Sequence, residues 1–172
     1  MATLWEQTVN DDYYPMGAKA YWGGDFSDAT FQSKTITQVT FTIDGPAATK
    51  TIDLYRFDPT GTLSNRTLLE SKSFTLTSGT NTLVFNSLSN NTLDSTGNYI
   101  AIEDNGNLSG YEWRECATTP AGTNPTMVET MIMTGTTWAK KSNEYPTGDL
   151  LDSGGPTPGD SSTLLPPPVA WI

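Results

Sequence analysis

The sequence predicts an all-β protein: an antiparallel β-sandwich followed by an extended Pro-rich C-terminal arm. Three observations carry this. Apolar and polar residues alternate at period two through most of the chain, in runs rich in Val, Ile, Thr, Tyr and Phe. Turn residues interrupt these runs every ten to fifteen residues or so, roughly the rhythm of a sandwich. No capped segment of helical period has useful length.

Residues 1–24 form an aromatic opening that contains Trp5, Tyr13, Tyr14, Tyr21 and Trp22. These rings read as a first strand buried in the sandwich, as an interface patch, or as a ligand platform. Residues 25–145 read as the strands of the sandwich. In "TITQVTFTID", Thr37, Val39, Phe41 and Ile43 share one face while Gln38, Thr40 and Thr42 share the other. "KTIDLYRF" alternates Ile52 and Leu54 with Asp53 and Tyr55. "LLESKSFTL" contributes Phe74 and Leu76, "NTLVFNSL" contributes Leu83 and Phe85, and "NYIAIED" contributes Ile100 and Ile102. "GYEWREC", "PTMVETMIMTG" and "TTWAKK" supply three further strands, and a short helical turn near Leu88–Asp94 is an alternative locally. Turns are expected at Asp44-Gly45-Pro46, Asp58-Pro59-Thr60-Gly61, Ser78-Gly79, Ser95-Thr96-Gly97 and Asp104-Asn105-Gly106.

Residues 146–172 form the arm. They hold six of the eleven prolines and no basic residue. Pro166, Pro167 and Pro168 favour an extended polyproline helix, followed by Val169, Trp171 and Ile172 as an apolar plug. Alone the arm cannot bury enough apolar surface to order itself, so it either folds back on its own sandwich or docks on a sister copy or a capsid, and another chain is the expected host.

Charge narrows the partners. Against 9 Lys and Arg stand 19 Asp and Glu, a formal net charge of −10. Such a chain is repelled by phosphate backbones and by anionic membranes, so neither nucleic acid nor a membrane is expected as a partner. Only 16% of the residues are charged, and Thr, Ser, Asn and Gly supply the polar surface, a composition suited to extracellular work. Cys116 stands alone, so no intrachain disulfide forms and a small buried thiol is expected. No run of about 18 apolar residues is present, and "MATLWEQTVNDDYY" has no signal-peptide pattern. An extracellular composition without an export signal is reconciled in a virion protein, which is made in the cytoplasm and released by lysis.

Several motifs resemble catalytic ones. "DSGGP" (Asp152 to Pro156) and "GDS" (Gly159 to Ser161) match serine-hydrolase segments, but both chemistries need a histidine base and the chain has none. These stretches therefore read as turns in a Gly-rich linker. The carboxylates Glu103, Asp104, Glu112, Glu115 and Glu129 are the candidates for glycosidase-type pairs, and no enzymatic role is expected of them. In "GYEWREC", Tyr111, Trp113 and Glu115 share a strand face. Either Trp113 is core, with Arg114 paired to a carboxylate, or Tyr111 and Trp113 stack a sugar ring while Glu115 accepts hydroxyl hydrogen bonds. In "EDNGN", Glu103, Asp104 and Asn105 are hard oxygen donors suited to calcium, or ordinary hairpin-turn residues. No other cofactor is expected.

The stretches "KTITQVTFTIDG", "KTIDLYRFDPTGTL" and "NTLVFNSLSNNTLDSTGNYIAIED" share a cadence. It runs from an apolar strand through a glycine turn, a Leu-Tyr strand and a Gly-Thr-Leu loop to a strand opened by Gly-Asn-Tyr. In this, roughly residues 31–115 resemble jelly-roll-like β-sandwich domains of phage virion proteins and bacterial surface proteins. The resemblance implies a jelly-roll type of sandwich, serving binding or assembly, and carries over no catalytic residue.

Two functions are therefore expected. The first is a virion structural protein, a capsid decoration or a head or tail appendage. It would assemble with copies of itself and with a capsid protein through Pro166, Pro167, Pro168, Val169, Trp171 and Ile172. The second is a carbohydrate-binding module that uses Tyr111, Trp113 and Glu115.

Overall fold

The computed structural model describes residues 1–58, 65–95 and 98–153. Among these described residues thirteen strands are present: β1 (Thr3–Gln7), β2 (Asp12–Pro15), β3 (Tyr21–Phe26), β4 (Ile36–Gly45), β5 (Ala48–Phe57), β6 (Arg66–Leu76), β7 (Gly79–Phe85), β8 (Asn98–Glu103), β9 (Glu112–Cys116), β10 (Thr130–Thr134), β11 (Thr137–Lys141), β12 (Tyr145–Pro146) and β13 (Gly148–Asp152). No helix occurs among the described residues, and the turn near Leu88–Asp94 is not helical. All strand pairs are antiparallel.

Six strands form one sheet in the order β11-β10-β3-β8-β5-β6; the other seven form the second. In the seven-stranded sheet β4 is central, with β7 on one edge and β13 and β9 sharing the other. β1 and β2 lie outside β13 and β9.

The inner faces meet through the residues that period-two reading selects. Val39, Phe41, Ile43, Ile52, Leu54, Leu76, Leu83, Phe85, Ile100 and Ile102 are all buried, and Phe74 packs against them half-buried. Ring pairs join the sheets: Trp22 stacks on Trp113 at 6.0 Å, Trp5 meets Phe26 edge-on at 5.5 Å, and Phe74 meets Phe85 at 5.1 Å. Each buried side chain of this size contributes about 1.5–3 kcal/mol. Thr37 departs from the expected face. Asp152 pairs with Ile36 and Leu151 with Gln38, so Thr37 is the extra residue of a bulge. Ile36 takes the inner position, and the Thr37 hydroxyl lies within hydrogen-bonding distance of the Leu151 and Asp152 carbonyls.

The opening segment belongs to the sandwich. It supplies β1, β2 and β3, buries Trp5, Tyr21 and Trp22, and leaves Tyr13 exposed. The body also extends further than expected. Pro146 to Asp152, assigned to the arm by composition, include half of β12 and all of β13, and β13 is bonded on both sides, to β1 and to β4. Leu150 supplies the apolar anchor that composition hides among Gly, Asp and Thr.

The six-stranded sheet has a second apolar layer on its outer face. Tyr21, Phe57, Ala101 and Met133 are buried there, under half-buried Tyr55, Tyr99 and Trp138. Trp138 on β11 lies 5.0 Å from Phe57 on β5, four strands away. At about 4.8 Å per strand, a flat sheet would separate these backbones by about 19 Å, so the outer face is concave. Gly23, at the centre of this face, lets the strands approach. A Cβ there would sit 2.0 Å from the Ile100 carbonyl oxygen.

Candidate functional site

Neighbouring residues on a strand point to opposite faces. Tyr21 and Trp22 therefore cannot both enter the core: Trp22 does, and Tyr21 faces the concave outer surface. Tyr21 opens β3 directly opposite Glu103, the last residue of β8, and Arg66 opens β6 beside them. A groove of about 490 Å³ lies here, lined by Lys19, Tyr21, Arg66, Glu103, Asn105 and the backbone of Gly17, Gly106 and Gly135. A smaller recess of about 230 Å³ adjoins it, lined by Thr51, Asp53, Glu103, Asp104, Asn105 and Asn107. Glu103 and Asn105 belong to both.

The polar groups of the groove are ordered by one another. Arg66 donates to the Tyr21 hydroxyl, and that hydroxyl donates to Glu103 Oε1 at 2.9 Å. Arg66 also reaches Glu103 Oε1 at 3.3 Å, and Asn105 Nδ2 donates to the same oxygen at 2.6 Å. The guanidinium lies 4.7 Å from the centroid of the Tyr55 ring, a cation–π contact. Burial, then the hydrogen bond to Glu103, pushes the Tyr21 phenol well above its usual range. Burial also raises Tyr55, with Glu103 adding to it. Arg66 is held charged by Tyr21, Tyr55 and Glu103, although burial acts the other way. Asn105 sits at φ 39° and Gly106 at φ 83°, the left-handed pair of a tight turn, which aims the Asn105 amide back at Glu103.

Tyr111, Trp113 and Glu115 do share a face, but it is the inner one. Trp113 and Glu115 are fully buried and Tyr111 is 2% exposed. Trp113 is held between Trp22 and Phe41, and the Tyr111 hydroxyl donates to the Pro46 carbonyl at 3.0 Å. None of the three offers a face to a sugar, which corrects the stacking platform expected of them. Arg114 points the other way and pairs with Asp44. Cys116 is buried.

Glu103, Asp104 and Asn105 do not converge on a calcium position either. The Glu103 carboxylate faces the groove, whereas Asp104 is buried. Asp104 Oδ2 accepts from Gly17 N at 2.7 Å and from Trp22 Nε1 at 3.0 Å, and Oδ1 from Leu108 N at 3.3 Å. Its lone pairs are used in fastening the loop to the core.

A different carboxylate set does come together. Asp12, Glu115 and Glu144 offer oxygens within 4.8 Å of one another. Lys141 already sits in this cluster, 2.6 Å from Glu144 and 3.7 Å from Glu115. Glu115 Oε2 accepts from Thr130 Oγ1 at 2.8 Å and so links the two sheets. Burial first, with Glu144 adding, pushes the Glu115 carboxyl up to about 8, against the pull of Thr130 and Lys141. The ammonium is closer to Glu144, whose carboxyl is lowered by Lys141 and by the bond to Glu115 in spite of burial. The upward shift therefore falls on Glu115 and the downward one on Glu144. Neither residue lines the groove or the recess.

Pro166, Pro167, Pro168, Val169, Trp171 and Ile172 lie outside the described residues, as do the "GDS" stretch and most of "DSGGP". Comparisons with protein-family models, with curated proteins and with solved structures find no match to this chain.

Proposed function

We propose that this chain is a non-catalytic structural module of a virion, a capsid decoration or a head or tail appendage. Its jelly-roll-type body is presented outward, and its Pro-rich arm docks on a sister copy or on a capsid protein. One observation carries the reading: β13, the last described strand, is bonded on both sides within a sheet and leads in sequence directly into the Pro-rich arm. In this reading the plug of Val169, Trp171 and Ile172 is offered to another chain. Full burial of three such side chains is worth on the order of 6 kcal/mol before ordering costs, and symmetric repetition would multiply it by avidity. β13 suits the anchoring role. Its hydrogen bonds to β1 and β4 would transmit a pull on the arm into the middle of a sheet.

Truncation after Ser153 tests this. The truncated chain should keep the thermal midpoint of the full chain and lose assembly, read as mass by sedimentation. Assembly that survives truncation, or a body that unfolds without the arm, would refute the proposal.

A second reading is favoured by the groove at Arg66 and Glu103: the outward body binds a glycan there. The groove offers fixed donors and acceptors suited to hydroxyl groups, on a face that curves inward. Alanine at Arg66 should remove glycan retention on an array and leave arm-dependent assembly intact.

A further inference from the structure

We infer that the groove takes an acidic sugar, a pyranose that carries a carboxylate; this rests on the glycan reading above. The argument is one of charge and of its placement. The chain as a whole carries −10, yet the larger groove is lined by two cations, Lys19 and Arg66, against one carboxylate, Glu103, a local balance of +1. A neutral ligand gives no use to this reversal. A ligand anion does, because field lines focus in a recessed site and select the sign of what enters it.

The adjoining recess has the opposite character. Asp53, Asn105 and Asn107 line it together with Glu103, so acceptors predominate. From one end to the other, the double groove runs from cationic donors to acidic and amide acceptors. A uronic-type sugar has the matching polarity: an anionic carboxylate at one end of the ring and hydroxyl donors at the other. Glu103 stands at the junction. Its Oε1 accepts from Tyr21, Arg66 and Asn105, while Oε2 accepts no hydrogen bond among the described residues and is left for a ligand hydroxyl.

Two further points support a ligand over a bare salt bridge. Arg66 is fixed before any ligand arrives, by the Tyr55 ring and by the Tyr21 hydroxyl, so little side-chain entropy remains to be lost on binding. Lys19 is half-buried at the groove wall and forms no ion pair among the described residues. The volume of about 490 Å³ falls within the range of about 300–1,000 Å³ typical of small-ligand sites.

The full-length chain is applied to an array that carries uronic-acid, sialic-acid and neutral glycans, and the strongest ligand is then titrated calorimetrically. Hits should be confined to carboxylate-bearing sugars. Lys19→Gln should weaken the best of them about tenfold without moving the thermal midpoint, and 0.5 M salt should weaken it by a similar factor. Glu103→Gln should weaken binding while preserving the preference for acidic sugars. Equal retention of neutral and acidic glycans would overturn the charge inference and leave the glycan reading standing. No retention of any glycan would overturn both. Competition by acetate at the same concentration as the sugar would reduce the site to a simple anion contact and overturn the inference.

Discussion

Glu115→Gln probes a fully buried acidic group whose carboxylate bonds one sheet to the other. Glu115 is fully buried, bonded to Thr130 and close to Asp12, Glu144 and Lys141, whose ammonium lies over the Tyr14 ring. With its carboxyl at about 8, against a usual 4.5, the folded chain keeps a proton that the unfolded chain has released. The stabilising contribution is thus complete below the usual carboxylate range and is lost as pH rises through about 8. At about 1.4 kcal/mol per unit, the shift from 4.5 to about 8 sets a ceiling near 5 kcal/mol. Glu144, held low, titrates below this window and adds no slope between pH 5 and pH 9, while relaxation and water entry around the ionised Glu115 reduce the ceiling to about 2 kcal/mol. Glutamine keeps an acceptor for Thr130 and offers Glu144 a permanent N–H donor. The variant should match the wild type near pH 5 and exceed it by about 2 kcal/mol at pH 9, or about 4–8 °C in Tm for a domain of this size. Urea or thermal unfolding across that range reads it directly. Parallel stability curves for the two proteins, or a wild type that gains on the variant as pH rises, would refute the reasoning.

Two other substitutions test the placement of residues that the sequence offers as ligands. Trp113→Ala should destabilise the chain by about 3–5 kcal/mol in urea unfolding, because the ring is enclosed by Trp22 and Phe41; glycan retention measured where the variant is still folded should be unchanged. Asp104→Ala should cost about 3 kcal/mol, since it strands the Trp22 indole N–H and the amides of Gly17 and Leu108. Calcium or a chelator should leave the wild-type Tm where it is, and a calcium-dependent rise abolished in this variant would show that the carboxylate is a ligand after all.

The alternation of Val39, Phe41 and Ile43 against Thr40 and Thr42 is enough to specify strands and the face each buries, because a strand has only two faces. The same logic identifies Tyr111, Trp113 and Glu115 as neighbours on one face. It cannot say whether that face points in or out, since aromatic residues suit a core and a sugar platform equally well. For β13 the failure is compositional. Gly148, Asp149 and Asp152 resemble a linker, and only pairing with β1 and β4 makes a strand of them. The groove was half legible. Two adjacent aromatics, Tyr21 and Trp22, must face opposite ways on a strand, which signals an outward ring. Arg66 carries no such signal, because its meeting with Tyr21 and Glu103 joins strands that are distant in the chain.

What the sequence determined alone is therefore local and periodic: an all-β chain, its apolar faces, its turns, and a formal net charge of −10. Tertiary structure decided everything that depends on which strand lies beside which. It sent Trp113 and Asp104 inward, curled the six-stranded sheet until Trp138 reached Phe57, and set Lys19, Arg66 and Glu103 around one groove. The reason is physical. Period-two patterning fixes the direction of a side chain relative to its own strand, whereas a site is made by contacts between strands, which no single strand encodes.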